Sequence, residues 1–317
     1  MTNHIVSGSE YLSLPRAPEA WLLKPLIPAG GACLLYGDSK VGKSFAAIQL
    51  ALSLQGGSPW LGFPVVQPGP VVYVQLDTPR SLWAERLEDI RRTGLNTDAL
   101  LLADRETLGT FPFNILYPEH RALLGASLRP LQPSAVILDT IREAHDGDED
   151  KSTIMRNVIA ELVAATAPAA LILIAHARKV SAEQPRTDLT GDNRGSSYVV
   201  GRMDSIIKFT PRTMHYTGRA VESGQIRCYR DDHGLWHPET SELLSHLETV
   251  LADTALTSVL SKAKALSTLT GKSVEACRNI LRREASTAAP AYTPSALRTP
   301  GWSPTIGQPE RPPQKSP

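Results

Sequence analysis

The sequence predicts an α/β fold built on a mostly parallel central sheet with flanking helices. Three observations support this prediction: five short, continuous apolar runs, longer amphipathic segments between them, and a glycine-rich loop directly after the first run. Continuous apolar runs of this length indicate strands that are buried on both faces, and their alternation with helical segments is typical of repeated βαβ units. The runs cover residues 32–36, 71–76, 100–103, 135–138 and 171–175.

Length, charge and cysteine content narrow the class of protein. A chain of 317 residues accommodates one large α/β core with a small appendage, and its net charge of +1 gives no long-range attraction to nucleic acid. Three widely separated cysteines, Cys33, Cys228 and Cys277, fit neither a disulfide framework nor a zinc site. Because no apolar run is long enough to cross a bilayer, we expect a soluble, cytoplasmic protein without membrane contact.

Composition divides the chain into four parts. We predict an N-terminal arm over residues 1–20, a catalytic domain over 21–240, a small helical unit over 241–288 and a disordered tail over 289–317. The tail is rich in proline, threonine and serine with almost no aliphatic residues, so it buries too little surface to offset its ordering entropy.

Helical and hairpin patterns fill the spaces between the runs. Ile154, Val158 and Leu162 recur at the spacing of one helix face, with Ile159 and Val163 beside them, which predicts a helix packed on the sheet.

Later in the chain, residues 205–210, 214–217 and 226–230 are separated by polar turns and indicate antiparallel hairpins that extend the sheet. From about residue 241 the chain is predicted to be helical, and residues 271–273 divide it into two short helices, which favours a helix-turn-helix unit.

The glycine-rich loop predicts a phosphate-binding site. Its eight residues match the pattern G-x-x-x-x-G-K-[ST], in which main-chain amides surround the β-phosphate, Lys43 reaches the β- and γ-oxygens and Ser44 binds magnesium. A helix predicted over 43–54 points its positive end at the phosphates. We therefore predict binding of ATP and Mg²⁺ by Gly37, Asp38, Ser39, Lys40, Val41, Gly42, Lys43, Ser44 and Phe45.

Two of the predicted strands end in an aspartate. Asp139 follows the run 135–138 as a Walker B acid does, and we predict that it is a second magnesium ligand, although strands also end in aspartate for reasons of turn geometry. Asp77 follows the run 71–76 and is suited to polarise the water that attacks the γ-phosphate, or to cap the helix that begins near Pro79. We predict the catalytic role for Asp77.

A histidine follows the fifth run. His176 comes directly after residues 171–175, where a polar side chain can detect the γ-phosphate and pass its presence to the following loop. The alternative is a structural histidine with satisfied hydrogen bonds. We predict that His176 is a sensor residue.

These residues together resemble the RepA-like hexameric helicases of plasmids and phages, within the wider RecA and DnaB group of ATPases. The resemblance covers roughly residues 21–236 and rests on PAGG at 28–31, LDTIREAHDGDED at 138–150, IAHARK at 174–179 and RGSS at 194–197. It implies a RecA-like P-loop core.

The resemblance also implies roles for individual residues. Lys43 and Ser44 match the family's ATP and magnesium contacts, Asp139 its Walker B acid and His176 its sensor. The family usually has glutamate where this chain has Asp77, which is one methylene shorter, so slow hydrolysis is expected.

A loop that contacts single-stranded DNA follows the sensor strand in RecA-like proteins. Residues 180–192 are polar and occupy this position, and three acids within them also allow an ordinary solvated loop. We expect phosphate contacts from Arg178, Lys179, Arg186, Arg194 and Arg202.

DnaB-like relatives place a basic finger on the γ-phosphate bound by the neighbouring subunit. Arg219 follows the predicted strand 214–217 and lies beside Gly218, so we predict that it is this finger. The alternative is a surface arginine at a hairpin turn.

The resemblance implies a homo-oligomer, with a hexameric ring as the expected form and ATP between neighbouring subunits. We interpret the chain as a DNA-stimulated ATPase and helicase that moves on single-stranded DNA. The alternatives are a recombinase or annealing ATPase that forms filaments, and a nucleotide-dependent regulatory or assembly protein. Basic residues in the C-terminal helices are available to DNA or to a replication partner.

Overall fold

The computed structural model contains a nine-stranded sheet and a separate two-stranded hairpin. It describes residues 6–14, 20–109, 112–177 and 197–287. In this part of the chain the strands are β1 (Trp21–Leu23), β2 (Ile27–Pro28), β3 (Ala32–Gly37), β4 (Val71–Gln75), β5 (Leu101–Asp104), β6 (Ala135–Asp139), β7 (Ala170–His176), β8 (Ser205–Phe209), β9 (Thr213–Gly218), β10 (Gly224–Arg230) and β11 (Trp236–Pro238).

Helices connect most of the strands. A short 3-10 turn, Ile141–Ala144, directly follows β6. The α-helices are α1 (Gly8–Ser13), α2 (Lys43–Gly56), α3 (Arg80–Arg91), α4 (Pro118–Leu128), α5 (Ser152–Thr166), α6 (Ser197–Arg202), α7 (Ser241–Ala252), α8 (Val259–Thr270) and α9 (Val274–Thr287).

The strand order confirms the predicted α/β class. The large sheet runs β11-β10-β9-β8-β3-β7-β6-β4-β5, and the six strands from β8 to β5 are parallel. The three strands β9 to β11 extend it as the antiparallel hairpins predicted from the sequence. Because β7 separates β3 from β6, the glycine-rich loop and Asp139 lie at the same edge, two strands apart.

Burial follows the position of each strand in the sheet. Strands β3, β4 and β6 are buried along their whole length, as their continuous apolar sequences predict. Strand β5 differs, because it is the last strand of the sheet and none of its residues is fully buried. The prediction that all five runs are buried on both faces was therefore wrong for the third run.

Separate apolar clusters cover the two faces of the sheet. One contains α2, α3 and the β1–β2 hairpin, and the other contains α4, α5 and α6. On α5, Met155, Val158, Ile159 and Leu162 are buried as the periodicity predicts, whereas Val163 is 37% exposed and does not belong to the packed face.

The N-terminal region contributes a hairpin that the sequence patterns did not reveal. Strands β1 and β2 pair antiparallel and bury Trp21, Leu23 and Ile27 against the α2 side of the sheet. Helix α1 buries no residue. Residues 1–5 and 15–19 of the predicted arm, like the tail from 288 onward, lie outside the described residues.

The C-terminal unit has three helices where two were predicted. Helix α7 precedes the predicted pair, and all three helices share an apolar cluster that includes Leu247, Leu266 and Ile280. The unit is not fully separate, because Tyr229 of β10 belongs to the same cluster. Helix α7 begins only two residues after β11 ends, so no long polar linker marks its start in the sequence.

None of the helices within the described ranges combines the length and the apolar character required to cross a membrane.

Candidate nucleotide-binding site

The candidate site lies where the parallel strands end. β3 leads into the loop from Gly37 to Ser44, β6 ends at Asp139 and β7 ends at His176. Strand β4 ends two residues before Asp77. Because the carboxyl ends of parallel strands share one edge, residues far apart in sequence meet there.

Glycine is required at both glycine positions of the loop pattern. Gly37 and Gly42 have φ angles of +157° and +104°, a region that residues with a Cβ rarely adopt. A Cβ on Gly42 would also lie 2.7 Å from a guanidinium nitrogen of Arg230 and 3.2 Å from Nε1 of Trp236. Helix α2 then begins at Lys43, so its positive end faces the loop.

Lys43 is buried and is held by the loop that it serves. Its Nζ donates to the carbonyl oxygens of Gly37 and Asp38, both at 2.9 Å, and only 5% of the residue is exposed. Burial lowers the pKa of Lys43 to about 8, although the negative charges of Asp139, Asp38 and Asp77 act against this shift. The ammonium group is therefore mostly protonated at pH 7, and anionic phosphates would raise its pKa again.

His176 contacts the same ammonium group. Its Nδ1 lies 3.3 Å from Nζ of Lys43 and 3.4 Å from Oγ of Ser39. A protonated lysine only donates, so Nδ1 is the acceptor and the imidazole proton is on Nε2. This arrangement brings the predicted sensor to the predicted phosphate-binding lysine.

Asp139 is a buried carboxylate in a network of hydroxyl groups. Only 2% of it is exposed, and it accepts hydrogen bonds from Tyr73 Oη, at 2.7 Å, and from Ser44. Burial raises the pKa of Asp139, and the charge of Asp77 acts in the same direction, while the two hydroxyl groups and Lys43 lower it. The two predicted metal-binding residues are therefore in direct contact.

Asp77 is exposed at the neighbouring strand end. Its charge affects Lys43 and Asp139, which shows that it faces the site. The alternative role, a helix cap, is wrong, because Pro79 is the N-cap of α3 and no side chain caps that helix. A carboxylate in this position is accessible to water.

Comparison with known families identifies the region that carries this site. Residues 6–182, more than half of the chain, match the AAA domain family. The chain belongs to the AAA domain family. The matched region includes every residue of the site described above, from Gly37 to His176. A solved structure of a helicase ATPase domain is 11% identical and matches 66% of this chain and 84% of its own, with a TM-score of 0.48.

The AAA domain site has the oxygen donors that suit magnesium. The Ser44 hydroxyl and the Asp139 carboxylate are hard ligands of the kind Mg²⁺ prefers, together with phosphate oxygens and water. In the described residues no group of three or more His, Cys, Asp and Glu side chains is arranged to hold a metal. These two residues therefore fit a metal whose remaining ligands come from the nucleotide and water.

A second layer supports the AAA domain loop from behind. Trp236 donates from Nε1 to the Gly42 carbonyl at 3.1 Å, and its backbone exchanges two hydrogen bonds with the Gln49 side chain, each at 2.9 Å. The guanidinium groups of Arg86 and Arg230 each lie 5.9 Å from the centre of the Phe45 ring.

Sequence reasoning missed most of this layer. A tyrosine in the middle of a fully buried strand signals a need for a hydrogen-bonding partner, so Tyr73 was detectable in principle. Arg230 and Trp236 had no local signal, because they follow the loop by almost two hundred residues.

The predicted DNA contacts are only partly within the described structure. Arg178, Lys179, Arg186 and Arg194 lie outside the described residues. Arg202 is the last residue of α6 and is exposed. Its role in binding DNA stays a prediction.

Arg219 lies at the opposite edge of the sheet from the phosphate loop. It follows Gly218, which pairs with Ser205 at the start of β8, whereas Gly37 pairs with the end of that strand. Its guanidinium donates to the Gly201 carbonyl at 2.6 Å and lies 3.7 Å from Asp204. Arg219 therefore cannot reach the loop of its own chain, and a finger role stays a prediction that requires a neighbouring subunit.

Proposed function

We propose that this protein is an ATP-dependent DNA motor that forms a ring and acts on single-stranded DNA as a helicase. The observation that carries the proposal is the contact of Lys43 with His176 beside the buried pair Ser44 and Asp139. This joins a phosphate site, a metal site and a route to the following segment of chain. Membership of the AAA domain family supports the use of ATP.

ATP binding uses contacts that Lys43 already makes within the loop. Phosphate oxygens take the place of the two carbonyl oxygens that now accept from its ammonium group. Mg²⁺, held by Ser44 and Asp139, would neutralise charge on the β- and γ-phosphates. The positive end of α2 contributes in the same direction.

Hydrolysis requires a base on the open side of the phosphates. We assign this role to Asp77, which is exposed, rather than to Asp139, which is buried and already accepts two hydrogen bonds. Asp77 accepts a proton from the attacking water, the water oxygen bonds to the γ-phosphorus, and the bond to the ADP oxygen breaks.

Coupling to DNA begins at His176. Its contact with Lys43 changes when a γ-phosphate enters, and the chain continues from His176 directly into the segment with the predicted DNA contacts. Arg202, exposed after that segment, adds a phosphate contact. DNA binding thereby affects hydrolysis in the same subunit.

ATP turnover with and without single-stranded DNA tests the proposal. Lys43→Ala should abolish tight ATP binding and turnover, whereas Lys151→Ala, an exposed lysine at the start of α5, should leave both unchanged. Wild-type turnover in Lys43→Ala would exclude the assigned site. If wild-type turnover does not respond to DNA, the motor is wrong and the regulatory alternative replaces it.

Subunit mixing tests the ring and the finger together. Arg219→Ala and Lys43→Ala subunits should each be nearly inactive, but a mixture should recover activity, because some interfaces then combine an intact loop with an intact arginine. Normal turnover of Arg219→Ala alone would reassign the finger, with Arg212 and Arg227 next to test. Electron microscopy with an ATP analogue and single-stranded DNA distinguishes rings from filaments.

A further inference from the structure

The C-terminal helices form a compact unit whose second and third members are joined by a very short turn. Helix α8 ends at Thr270 and α9 begins at Val274, and Gly271 between them has a φ angle of +67°. Ser258 caps the start of α8 through reciprocal hydrogen bonds with Ser261. Two helices joined by a three-residue turn with a glycine have the order of a helix-turn-helix motif.

The large apolar residues of α9 point into the unit. Cys277, Ile280 and Leu281 are buried in the shared cluster, and Val274 packs against it. A second face of α9 is attached to the sheet extension, since the Asn279 amide donates to Asp232 at 2.9 Å. Just before the helix, Lys272 donates to the Tyr229 hydroxyl. These contacts hold α9 in a fixed orientation.

The remaining face of α9 is polar and carries arginines one turn apart. Glu275, Arg278 and Arg282 follow one another along this face, and we call them the α9 stripe. The Arg282 side chain is 62% exposed and lies 3.9 Å from Glu275, and Arg278 lies 2.6 Å from the same carboxylate. Exposed ion pairs of this kind contribute only about 0–1 kcal/mol, so a phosphate or a base edge can replace them at little cost.

Charge separates this pair of helices from the rest of the chain. Residues 259–287 contain six basic and two acidic residues, a net charge of +4, whereas the whole chain has a net charge of +1. Helix α7 carries two glutamates and no lysine or arginine. The local positive charge favours a polyanion as the partner of α8 and α9.

We propose that the C-terminal unit binds double-stranded DNA, with α9 entering the major groove and the α9 stripe contacting phosphates and base edges. This site is distinct from the nucleotide site and from the predicted single-strand contacts. A protein partner is disfavoured because α9 exposes no large apolar side chain among its described residues; the exposed apolar residues Val259, Leu260 and Leu269 belong to α8.

Fluorescence anisotropy with the full-length chain tests this site. A labelled random-sequence duplex and the corresponding single strand are titrated without nucleotide over a range of salt concentrations. The double variant Arg278→Ala/Arg282→Ala should weaken duplex binding at least about tenfold and reduce the slope of log K against log salt by about 2. Turnover of ATP without DNA should be unchanged.

A matched control removes the same charge elsewhere. Arg91→Ala/Arg92→Ala changes two exposed, ion-paired arginines at the end of α3 and should leave duplex binding unaffected. Glu275→Gln should strengthen duplex binding several-fold, an effect of the opposite sign that partial unfolding does not produce.

Unchanged duplex affinity in the α9 double variant would overturn the proposal, as would an equal loss in the α3 double variant. Lys43→Ala separates this inference from the proposed motor, because that variant should lose ATP turnover and keep duplex binding.

Discussion

Two aspartates near the ends of adjacent parallel strands have opposite surroundings. Asp139, the last residue of β6, is 2% exposed and accepts hydrogen bonds from two hydroxyl groups. Asp77, two residues beyond β4, is exposed. The contrast continues along the chain: Thr140, Ile141 and His145 after β6 are buried, whereas the residues after Asp77 reach solvent until Trp83.

The difference follows from where each strand leads. The chain after β6 enters a 3-10 turn that packs under the sheet with Ala144, while the chain after β4 turns at Pro79 into α3, which is mostly exposed. Burial fixes the direction of a carboxylate and removes competing water, as a metal ligand requires. Exposure leaves a carboxylate accessible to a reacting water. Sequence position at a strand end therefore does not define a role by itself.

The largest expected effect is at the buried aspartate. Asp139→Asn should reduce magnesium-dependent ATP turnover by about 10³-fold, because the amide carries no negative charge to hold the ion. Asp148→Asn, in the exposed loop that follows, is the control. Steady-state turnover with a magnesium titration measures both, and equal activities of Asp139→Asn and wild type would remove the distinction between the two aspartates.

A smaller effect is expected at the exposed aspartate. Asp77→Asn should reduce turnover by about 10²-fold while nucleotide affinity stays within a few-fold of wild type, since the base is lost but no binding contact is. Asp77→Glu should restore or exceed the wild-type rate. Single-turnover assays and equilibrium binding of a fluorescent ATP analogue measure the two quantities. A large loss of affinity in Asp77→Asn would assign the residue to binding instead.

Tyr73→Phe tests whether the hydroxyl network stabilises the buried side. It leaves one buried oxygen of Asp139 without its donor, so the free energy of unfolding should fall by about 1–3 kcal/mol. Tyr117→Phe is a matched control, because its hydroxyl contacts Asp146 at 3.2 Å in an exposed position. Its expected change is below about 0.5 kcal/mol. Urea unfolding measures both, and equal losses would contradict the role given to burial.

The weakest expected effect concerns pH. Burial lowers the pKa of His145, as does Arg142, while Asp146, Glu143 and the Gly147 backbone oppose the shift. The unfolded chain therefore binds the proton first, and stability should fall as pH drops below about 6.5, with a slope of at most about 1.4 kcal/mol per pH unit until the folded pKa is passed. His145→Gln should flatten this decline in urea unfolding at pH values of about 7.5 and about 5.5, on either side of the unfolded pKa. An unchanged slope would show that His145 does not titrate in this way.

Local patterns were sufficient for much of the site. The apolar runs predicted the central strands, and Lys43, Asp139 and His176 meet because parallel strands end at one edge. The exposure of β5 was not predictable, since strand order depends on contacts across the whole sheet. Arg230 and Trp236 support the loop through tertiary packing, which no sequence period records.

The hydrogen bond from Trp236 to Gly42 also has a consequence for biosynthesis. The two residues are 194 positions apart, so at about 5–20 residues per second the ribosome makes the second about 10–40 s after the first. During that interval the nascent chain contains the complete phosphate-binding sequence without the strand that supports it. We expect nucleotide capture to begin only after β11 has left the exit tunnel, so a prematurely terminated chain would not sequester ATP.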